Sequence, residues 1–316
     1  MGALWAIYLI FVFFAVSNSS LISRKYTAKP EKDDRKSNEE LLGEYNAKSD
    51  IQCAARCLRN CSVFGFNPQM KKCRTHKEMF TSGVSREEGW RYYLQDFMPI
   101  DCKDLHGDGY FDSGVYDIYP HGTITSPVRV YCQMEIMGGG WTAIQKRVNG
   151  SVSFDLDWTA YKNGFGSPEQ DVWVGNDLIH QLTKDYNSFL YVSITLQNGT
   201  TLYELYDRFS VSSETEKYQL FLAAPATGAL GDSILNTGFP TRDLSGMSFT
   251  TKDRDNDPSS VNCAANYDKR GGWWFNRCHR GFLNGPWYPA DWDTPWYPAV
   301  EEGTSIRGTV MMIKRH

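Results

Sequence analysis

Three aspartates recur at every second position in the stretch TKDRDNDPSSVNC, residues 251–263: Asp253, Asp255 and Asp257. Side chains at alternate positions of an extended chain point to the same side, so Asp255 and Asp257 can converge. Two carboxylates at such a short distance repel each other unless water or a positive charge lies between them. A hard cation that prefers oxygen ligands would accept two carboxylates together with backbone carbonyls and water, which is the chemistry of calcium.

Two other interpretations of this stretch can be weighed from the sequence. A solvated acidic turn, with Lys252 and Arg254 as its partners, is the simpler one and stays open at this point. An EF-hand is excluded. Counting from Asp253, the sixth position is Pro258 instead of glycine, and the twelfth is Ala264 instead of glutamate.

Composition excludes some classes of protein. The 316 residues include 33 basic and 37 acidic side chains, for a net charge of −4, and no basic block suggests nucleic-acid binding. The sequence has no Gly-x-Ser-x-Gly elbow, no His-Glu-x-x-His and no phosphate-binding glycine loop. A binding protein is therefore expected rather than an enzyme. The length suits two ordinary domains, or one domain with an extension.

The N-terminus contains an apolar run from Leu4 to Val16, which is too short to span a bilayer and has the length of a signal-peptide core. Ala15 and Ser17 supply a small-x-small cleavage pattern. The sequence thus predicts a signal peptide over residues 1–17 and a secreted protein, with a membrane anchor as the alternative. No other segment could span a membrane.

Export would place the cysteines in an oxidising compartment, where an even number indicates disulfides. The eight cysteines fall into two sets: Cys53, Cys57, Cys61 and Cys73, then Cys102, Cys132, Cys263 and Cys278. Zinc is the competing interpretation of the first set, but Cys-x2-Cys knuckles are absent. Among the Asn-x-Ser/Thr sequons, those at Asn149 and Asn198 are the favoured glycosylation sites.

The first hundred residues contain one clear helix signal. Residues 24–50 are charged and indicate a solvated loop, and SDIQCAARCLRN then predicts a helix capped by Ser49 or Asp50. Cys53 and Cys57 are four apart and would share one helical face. Short β-like runs follow, so we expect this helix to lie on a small antiparallel sheet.

This part resembles a PAN/apple module, through the passage DIQCAARCLRNCSVFGFN, the later Cys73 and the terminal GWRYY. The resemblance implies a module over residues 20–97. It also implies that Cys53 pairs with Cys73 and that Cys57 pairs with Cys61.

After residue 98 the composition shifts toward glycine and aromatic residues. VRVYCQME and WTAIQKRV alternate as half-buried strands do, and residues 187–211 indicate a hairpin with Asn198-Gly199 at its turn. A short helix is expected around Leu178, Ile179 and Leu182. Regular patterning fades from residue 225 onward, so this region needs more than a hydrophobic core to hold one shape.

Several strings, taken in order, resemble a fibrinogen C-terminal globular domain: DCKDLHGDGYFDSGVYDIYP, VYCQMEIMGGGWTAIQKR, FTTKDRDND and GGWWFNRCHRGFLNG among them. The resemblance covers residues 98–316 and implies an α+β fold, with a mixed sheet and a loop-rich calcium-binding region. Its disulfides carry over as Cys102–Cys132 and Cys263–Cys278.

The family's calcium loop lies just before the third cysteine of the domain. By resemblance, Ca²⁺ would be bound by the side chains of Asp255 and Asp257 and by the carbonyl oxygens of Ser259 and Val261. Asp253 fits a supporting role or a water-mediated contact.

Lectin-like members of the family, such as ficolins and tachylectins, have an acetyl-binding pocket beside this loop, next to a cysteine preceded by a cis peptide bond. The corresponding bond here is Arg277–Cys278, followed by His279, and Tyr267 matches a pocket tyrosine. Tyr288 and Ala290 could form the far wall, although the loop at 286–300 departs from the family pattern. Trp273 and Trp274 match a tryptophan pair whose expected place is the core.

These features favour a secreted, calcium-dependent lectin for N-acetylated glycans, free or on a cell-surface glycoprotein. A receptor-binding signalling ligand of the angiopoietin-like type and an extracellular-matrix adhesion protein are the alternatives, and fold alone cannot choose among them. All eight cysteines can pair internally, and no heptad or collagen repeat occurs. A homo-oligomer would therefore have to form through domain surfaces.

Overall fold

The computed structural model describes residues 9–16, 20–57, 61–80, 84–95, 98–120, 127–185, 187–235, 243–265, 270–278, 281–287, 296, 300 and 306–316. The chain divides into two compact units, Met1–Met98 (unit 1) and Pro99–His316 (unit 2). Each unit has its own sheet and its own buried core. Among the helices of these residues, none is both long enough and apolar enough to cross a membrane.

Unit 1 consists mainly of short antiparallel strands. Its elements are β1 (Leu9–Val16), β2 (Ser20–Ala28), β3 (Arg35–Ser37), β4 (Leu41–Asn46), α1 (Asp50–Ala54), β5 (Val63–Asn67), β6 (Lys72–His76), β7 (Val84–Arg86) and β8 (Arg91–Gln95). Six strands form a sheet in the order β1-β2-β8-β5-β6-β4, and β3 pairs with β7. The aromatic rings of Tyr26, Phe64 and Tyr93 pack together in the core, with centroids 5.0 and 4.8 Å apart.

The helix of unit 1 begins as predicted and ends earlier than expected. Ser49 is the N-cap, and its Oγ accepts a hydrogen bond of 3.1 Å from the backbone N–H of Gln52. The helix ends at Ala54, so Cys57 lies beyond it and does not share a helical face with Cys53. Glycine or proline does not cause this end, because neither residue type occurs in residues 51–57.

The structure contains four disulfides, and they are the four pairs that the two resemblances imply: Cys53–Cys73, Cys57–Cys61, Cys102–Cys132 and Cys263–Cys278. The first joins α1 to β6. No cysteine is left free. A core as small as that of unit 1 gains stability from such crosslinks because they restrict the unfolded chain.

The expectation of a solvated loop over residues 24–50 is wrong, because this stretch contains the end of β2, all of β3 and all of β4. The carboxylates in it bind backbone groups: Asp33 Oδ1 accepts from the N–H of Tyr92 at 3.1 Å, and Asp34 Oδ1 from that of Gly89 at 2.7 Å. Charged side chains therefore fix the strands here, which a search for alternating apolar residues does not detect.

The described part of the N-terminal apolar run forms strand β1, which pairs with β2 from Leu9 opposite Thr27 to Val16 opposite Ser20. The predicted cleavage site follows directly after this strand. Signal-peptide cleavage stays a prediction.

Unit 2 combines short helices with a large sheet. Its elements are α2 (Cys102–Gly107), β9 (Gly114–Ile118), β10 (Val128–Gln133), β11 (Trp141–Arg147), α3 (Trp158–Asn163), β12 (Phe165–Gly166), β13 (Val172–Trp173), α4 (Asn176–Thr183), β14 (Ser188–Leu196), β15 (Thr201–Val211), β16 (Leu220–Gly228) and β17 (Ile306–Arg315). The strand order is β12-β13-β11-β17-β14-β15-β16, with β10 pairing to β11 and β9 to β10.

The last strand occupies the centre of this sheet, between β11 and β14. The predicted hairpin is present, with β14 and β15 joined at Asn198-Gly199, where the φ of Gly199 is 87°. Every strand pairing in the described residues is antiparallel, so the expected mixed sheet is wrong. Hairpins and a returning C-terminal strand suffice to build it without parallel crossovers.

The region between β16 and β17 has no α-helix or named strand in its described residues. Its core is aromatic instead: the rings of Trp173, Phe249 and Trp274 lie within 5.1–6.0 Å of one another. Aromatic pairs at such distances add to the free energy gained by burial alone. This packing holds the loop region against the sheet.

His76 of β6 is fully buried, with an exposed fraction of 0%. Its Nδ1 lies 2.9 Å from the carbonyl oxygen of Glu39 and its Nε2 has no hydrogen-bond partner in the described structure. Burial lowers the pKa of the imidazole below its ordinary 6.5, and the positive charge of Arg74 lowers it further, although the bond to Glu39 raises it.

We expect unit 1 to lose stability as the pH falls below 6.5. Because the pKa of His76 is lower in the folded than in the unfolded chain, the unfolded chain binds the proton more readily and is favoured in acid. His76→Asn keeps an N–H donor for Glu39 and cannot titrate in this range. Thermal unfolding of wild type and variant between pH 7.5 and 5 should show a smaller loss for the variant.

His316→Asn is the matched control, because this histidine is exposed. Equal pH dependence in His76→Asn and wild type would contradict the prediction.

Candidate cation and ligand site

Asp253 fixes the acidic loop to a helix of unit 2. Its Oδ1 accepts hydrogen bonds from the backbone N–H of Trp158 at 2.9 Å and from Oγ1 of Thr251 at 2.7 Å. Trp158 is the first residue of α3, where unpaired N–H groups favour a carboxylate. Asp253 therefore positions the acidic loop against α3, and its role at a cation stays a prediction.

The other two aspartates lie next to each other. The backbone N–H of Asp257 lies 3.3 Å from Oδ1 of Asp255, while the Asp257 carboxylate accepts from the N–H groups of Ser259 and Cys263, each at 3.0 Å. Burial raises the pKa of the Asp257 carboxyl, and the charge of Asp255 raises it further, against the two backbone bonds that lower it. The pair thus carries mutual repulsion that a cation would relieve.

The basic residues of the loop do not neutralise this pair. Lys252 Nζ pairs with Asp155 at 3.2 Å, and Arg254 lies 3.8 Å from Glu214 and 4.0 Å from the Trp158 ring. Within the described residues, neither Asp255 nor Asp257 forms an ion pair. The predicted pairing of this turn with Lys252 and Arg254 is therefore wrong, and a solvated acidic turn without those partners stays the alternative to a cation site.

Two backbone oxygens complete the predicted ligand set. The carbonyl groups of Ser259 and Val261 accept no hydrogen bond from any described residue, although the Val261 N–H lies 3.4 Å from Oγ of Ser259. Free carbonyl oxygens beside two carboxylates match the donors that calcium prefers. In the described parts of the chain, no group of three His, Cys, Asp or Glu side chains converges as a metal site. The predicted calcium ligands would not form such a group, because only two of them are carboxylates and the other two are backbone carbonyls.

A disulfide joins this loop to the segment of the predicted pocket. Cys263 and Cys278 are bonded with a Cα–Cα distance of 4.9 Å, and Ser259 Oγ lies 3.7 Å from Cys278 Sγ. Ordering the loop therefore also restrains Cys278.

The predicted cis peptide bond between Arg277 and Cys278 is wrong, because the cis bond among the described residues is Ala224–Pro225. Arg277 and Cys278 instead both have a φ of 60°, in the left-handed region. This conformation costs about 1–2 kcal/mol for a residue with a side chain, and such strain concentrates at binding sites. The chain is thus sharply turned at this point without a cis bond.

The other predicted pocket residues lie outside the described residues: Tyr267, His279, Tyr288 and Ala290. Trp273 and Trp274 are each 1% exposed and belong to the core, and Trp274 Nε1 donates to the carbonyl of Tyr218 at 2.7 Å. These two rings therefore anchor the segment that leads to Cys278 in the core.

Some residues that contact the acidic loop were not predicted from the sequence. They lie in α3 and in the 3-10 helix Glu214–Glu216. Glu214 accepts a hydrogen bond of 2.8 Å from Trp158 Nε1 and also contacts Lys162 and Arg254. Glu214 and Arg254 are 40 positions apart, and no local pattern joins them.

Comparisons with known proteins agree with this geometry. The family model of the C-terminal globular domain of fibrinogen beta and gamma chains matches residues 98–315. Ryncolin-4 of Cerberus rynchops is 39% identical over 195 residues, which are 61% of this chain and 53% of ryncolin-4. Angiopoietin-4 of Bos taurus is 37% identical over 220 residues, 68% of this chain and 42% of that protein. The chain thus matches about half the length of these curated relatives or less.

A solved structure is similar over the same region. Lamprey fibrin D-dimer, complexed with the peptide ligand Gly-His-Arg-Pro-amide, has a TM-score of 0.62 and 33% identity, over 69% of this chain and 73% of that one. These relatives place the chain among binding proteins rather than enzymes, as the sequence predicted. This chain belongs to the family of the fibrinogen C-terminal globular domain.

Proposed function

We propose that the chain is a secreted, calcium-dependent recognition protein whose fibrinogen-like domain binds acetylated carbohydrate, free or on a cell-surface glycoprotein. The observation that carries this proposal is the pair Asp255 and Asp257, whose charges no described basic side chain neutralises. A bound Ca²⁺ would supply the missing positive charge. The carboxylates and the carbonyls of Ser259 and Val261 would hold it.

The proposed ligand pocket lies beside this loop. Cys278 is restrained through its disulfide, and the left-handed turn at 277–278 can direct backbone N–H groups toward an acetyl carbonyl. His279, Tyr267, Tyr288 and Ala290 complete the pocket by family resemblance. In this arrangement calcium acts indirectly, by ordering the loop to which Cys278 is attached.

A receptor-binding signalling ligand is the second candidate. The identity with angiopoietin-4 is close to that with ryncolin-4, so the comparisons support it about equally. The peptide complex of lamprey fibrin also makes a peptide end, as in matrix adhesion, a chemically reasonable ligand. The receptor-ligand role tolerates loss of the acetyl pocket, whereas the lectin role requires it.

The remaining expectations concern the extracellular setting. Unit 1 is proposed to be a PAN/apple-like module, supported by the α1-to-β6 disulfide, that adds a protein or carbohydrate contact. Asn149 and Asn198 are both exposed and are the proposed glycosylation sites. Since single lectin sites are usually weak, a homo-oligomer formed through domain surfaces would raise avidity.

Calcium should raise the melting temperature of unit 2. At a concentration one hundred times its dissociation constant, a ligand adds about 2.7 kcal/mol, which corresponds to about 5–10 °C for a domain of this size. Asp255→Ala combined with Asp257→Ala should abolish this difference, measured by thermal unfolding with calcium and with chelator.

The matched control is Asp117→Ala combined with Asp207→Ala, which removes two carboxylates that form no ion pair among the described residues. It should keep the response to calcium. A wild-type protein that melts at the same temperature with calcium and with chelator would refute the calcium site.

The purified protein should bind an N-acetylglucosamine resin in calcium and elute with chelator, free N-acetylglucosamine or acetate. His279→Ala should lose at least about tenfold in affinity, because a pocket contact disappears, while calcium still stabilises the variant. A glucose resin is the control. No retention by the acetylated resin, together with calcium stabilisation of the fold, would favour the receptor-ligand function instead.

A further inference from the structure

A second concave surface lies in unit 2, between the C-terminal end of α4 and strands β15 and β16. One cleft of about 420 Å³ is lined by His180, Lys184, Ser210, Val211, Ser212, Gln219 and Phe221, among others. A neighbouring cleft of about 240 Å³ shares Lys184, Ser210 and Phe221 with it and adds Arg208. Because they share walls, we treat the two as one groove, the α4 groove.

The register of the sheet explains why these side chains meet. Ser210 of β15 lies opposite Phe221 of β16, and Arg208 precedes Ser210 by two positions, so all three project from one face. His180 and Lys184 are one helical turn apart and lie on one side of the helix. Strands β15 and β16 and the end of α4 therefore form part of the walls, and loop residues such as Ser212, Ser245 and Gly246 complete them.

Hydrogen bonds fix the helix against the strand. Nδ1 of His180 lies 2.8 Å from the carbonyl oxygen of Val211, and Oγ1 of Thr183 accepts from the Val211 N–H at 3.2 Å. A carbonyl only accepts, so Nδ1 carries the hydrogen in this contact. With the hydrogen on Nδ1, the neutral form of the ring has Nε2 as an acceptor.

The groove presents positive charge that the protein does not use. Arg208 is exposed and forms no ion pair or side-chain hydrogen bond with a described residue. Lys184 has one ion pair in the described structure, at 3.9 Å to its sequence neighbour Asp185. Asp185 is also the acidic residue among those that line the groove. An exposed pair with adjacent residues contributes little, so both cations are available for an anion. Guanidinium groups bind carboxylate and sulfate through two parallel hydrogen bonds.

Phe221 adds an apolar surface to the cleft that Arg208 and Lys184 also line. Its side chain is 53% exposed, an unusual place for a phenylalanine on a strand whose inward neighbours Leu220 and Leu222 are buried. Ser210 Oγ forms no hydrogen bond with a described residue and is free to bind a hydroxyl group. One apolar ring surrounded by cations, a hydroxyl and an imidazole acceptor suits a ligand with a ring, hydroxyl groups and an anion.

We propose that the α4 groove binds a carboxylated or sulfated saccharide unit, with its anion held by Arg208 and Lys184 and its ring packed on Phe221. The groove shares no residue with the acidic loop, so binding here does not require Ca²⁺. This site is independent of the proposed acetyl pocket and could be present whichever function that pocket has.

The test uses the full-length chain and three defined hexasaccharides: a fully sulfated heparin fragment, hexagalacturonate and neutral maltohexaose. Calorimetric titration in chelator should show binding of at least one acidic hexasaccharide and none of maltohexaose. Raising the salt concentration should weaken that binding, because exposed charges are screened. Absence of binding by both acidic probes would overturn the proposal.

Arg208→Gln and Phe221→Ser should each weaken binding about fivefold, the loss expected when one exposed contact of about 1 kcal/mol is removed. Arg307→Gln is the matched control, because it removes the same charge from an exposed arginine on β17 of the same sheet. All three variants should melt like the wild type. An equal loss of affinity in Arg307→Gln would show non-specific charge attraction. Binding of hexaglutamate as tight as that of the acidic hexasaccharides would show an acidic-peptide site. Either result refutes the saccharide assignment.

Discussion

The loop region of unit 2 must satisfy its buried backbone groups without strands or helices, and the candidate cation site depends on how it does so. Three asparagine amides replace the missing ladder: Asn256, Asn262 and Asn276 donate to loop carbonyls at 2.8, 3.0 and 2.8 Å. The carboxylate of Asp257 accepts two N–H groups in the same way. Because polar side chains form these hydrogen bonds, the loop is rich in Asn and Asp. As a result, Asp255 lies close to the carboxylate of Asp257 and has no partner of opposite charge among the described residues.

A buried polar network connects this loop region to the centre of the sheet. Gln145 of β11 donates to Oδ1 of Asn284 at 3.2 Å, Thr309 of β17 donates to Gln145 at 3.2 Å, and Asn284 donates to the carbonyl of Gly272 at 3.0 Å. All of these side chains are buried. Breaking one bond would leave its partner unsatisfied in the interior, so the sheet determines where the pocket segment at 270–278 lies.

The sequence was informative where the signal was local and uninformative where partners were distant. The Ser49 cap and the turn at Asn198-Gly199 could be predicted, since each depends on residues within one turn. The strands within residues 24–50 could not, because their partners β6, β7 and β8 are distant in sequence and their few core residues, such as Tyr26, lie among charged ones. Nor could the partners of Lys252 and Arg254, because Asp155 lies 97 positions from Lys252 and Glu214 lies 40 positions from Arg254. Only these distant partners show that Lys252 and Arg254 do not neutralise the charges of Asp255 and Asp257.

The two candidate functions share one part of the site and differ in another. Asp253 and Arg254 both contact Trp158 of α3, so neither is a partner for Asp255 or Asp257, and the proposed cation would bind that pair whatever the ligand is. A calcium requirement would therefore appear in a lectin and in a receptor ligand alike, since both need the loop and the attached Cys278 to be ordered. The difference between the two functions is proposed to lie in residues 286–300, where the sequence departs from lectin-like members of the family. Calcium dependence therefore tests whether the acidic loop binds a cation. Only competition by an acetylated sugar distinguishes a lectin from a receptor ligand.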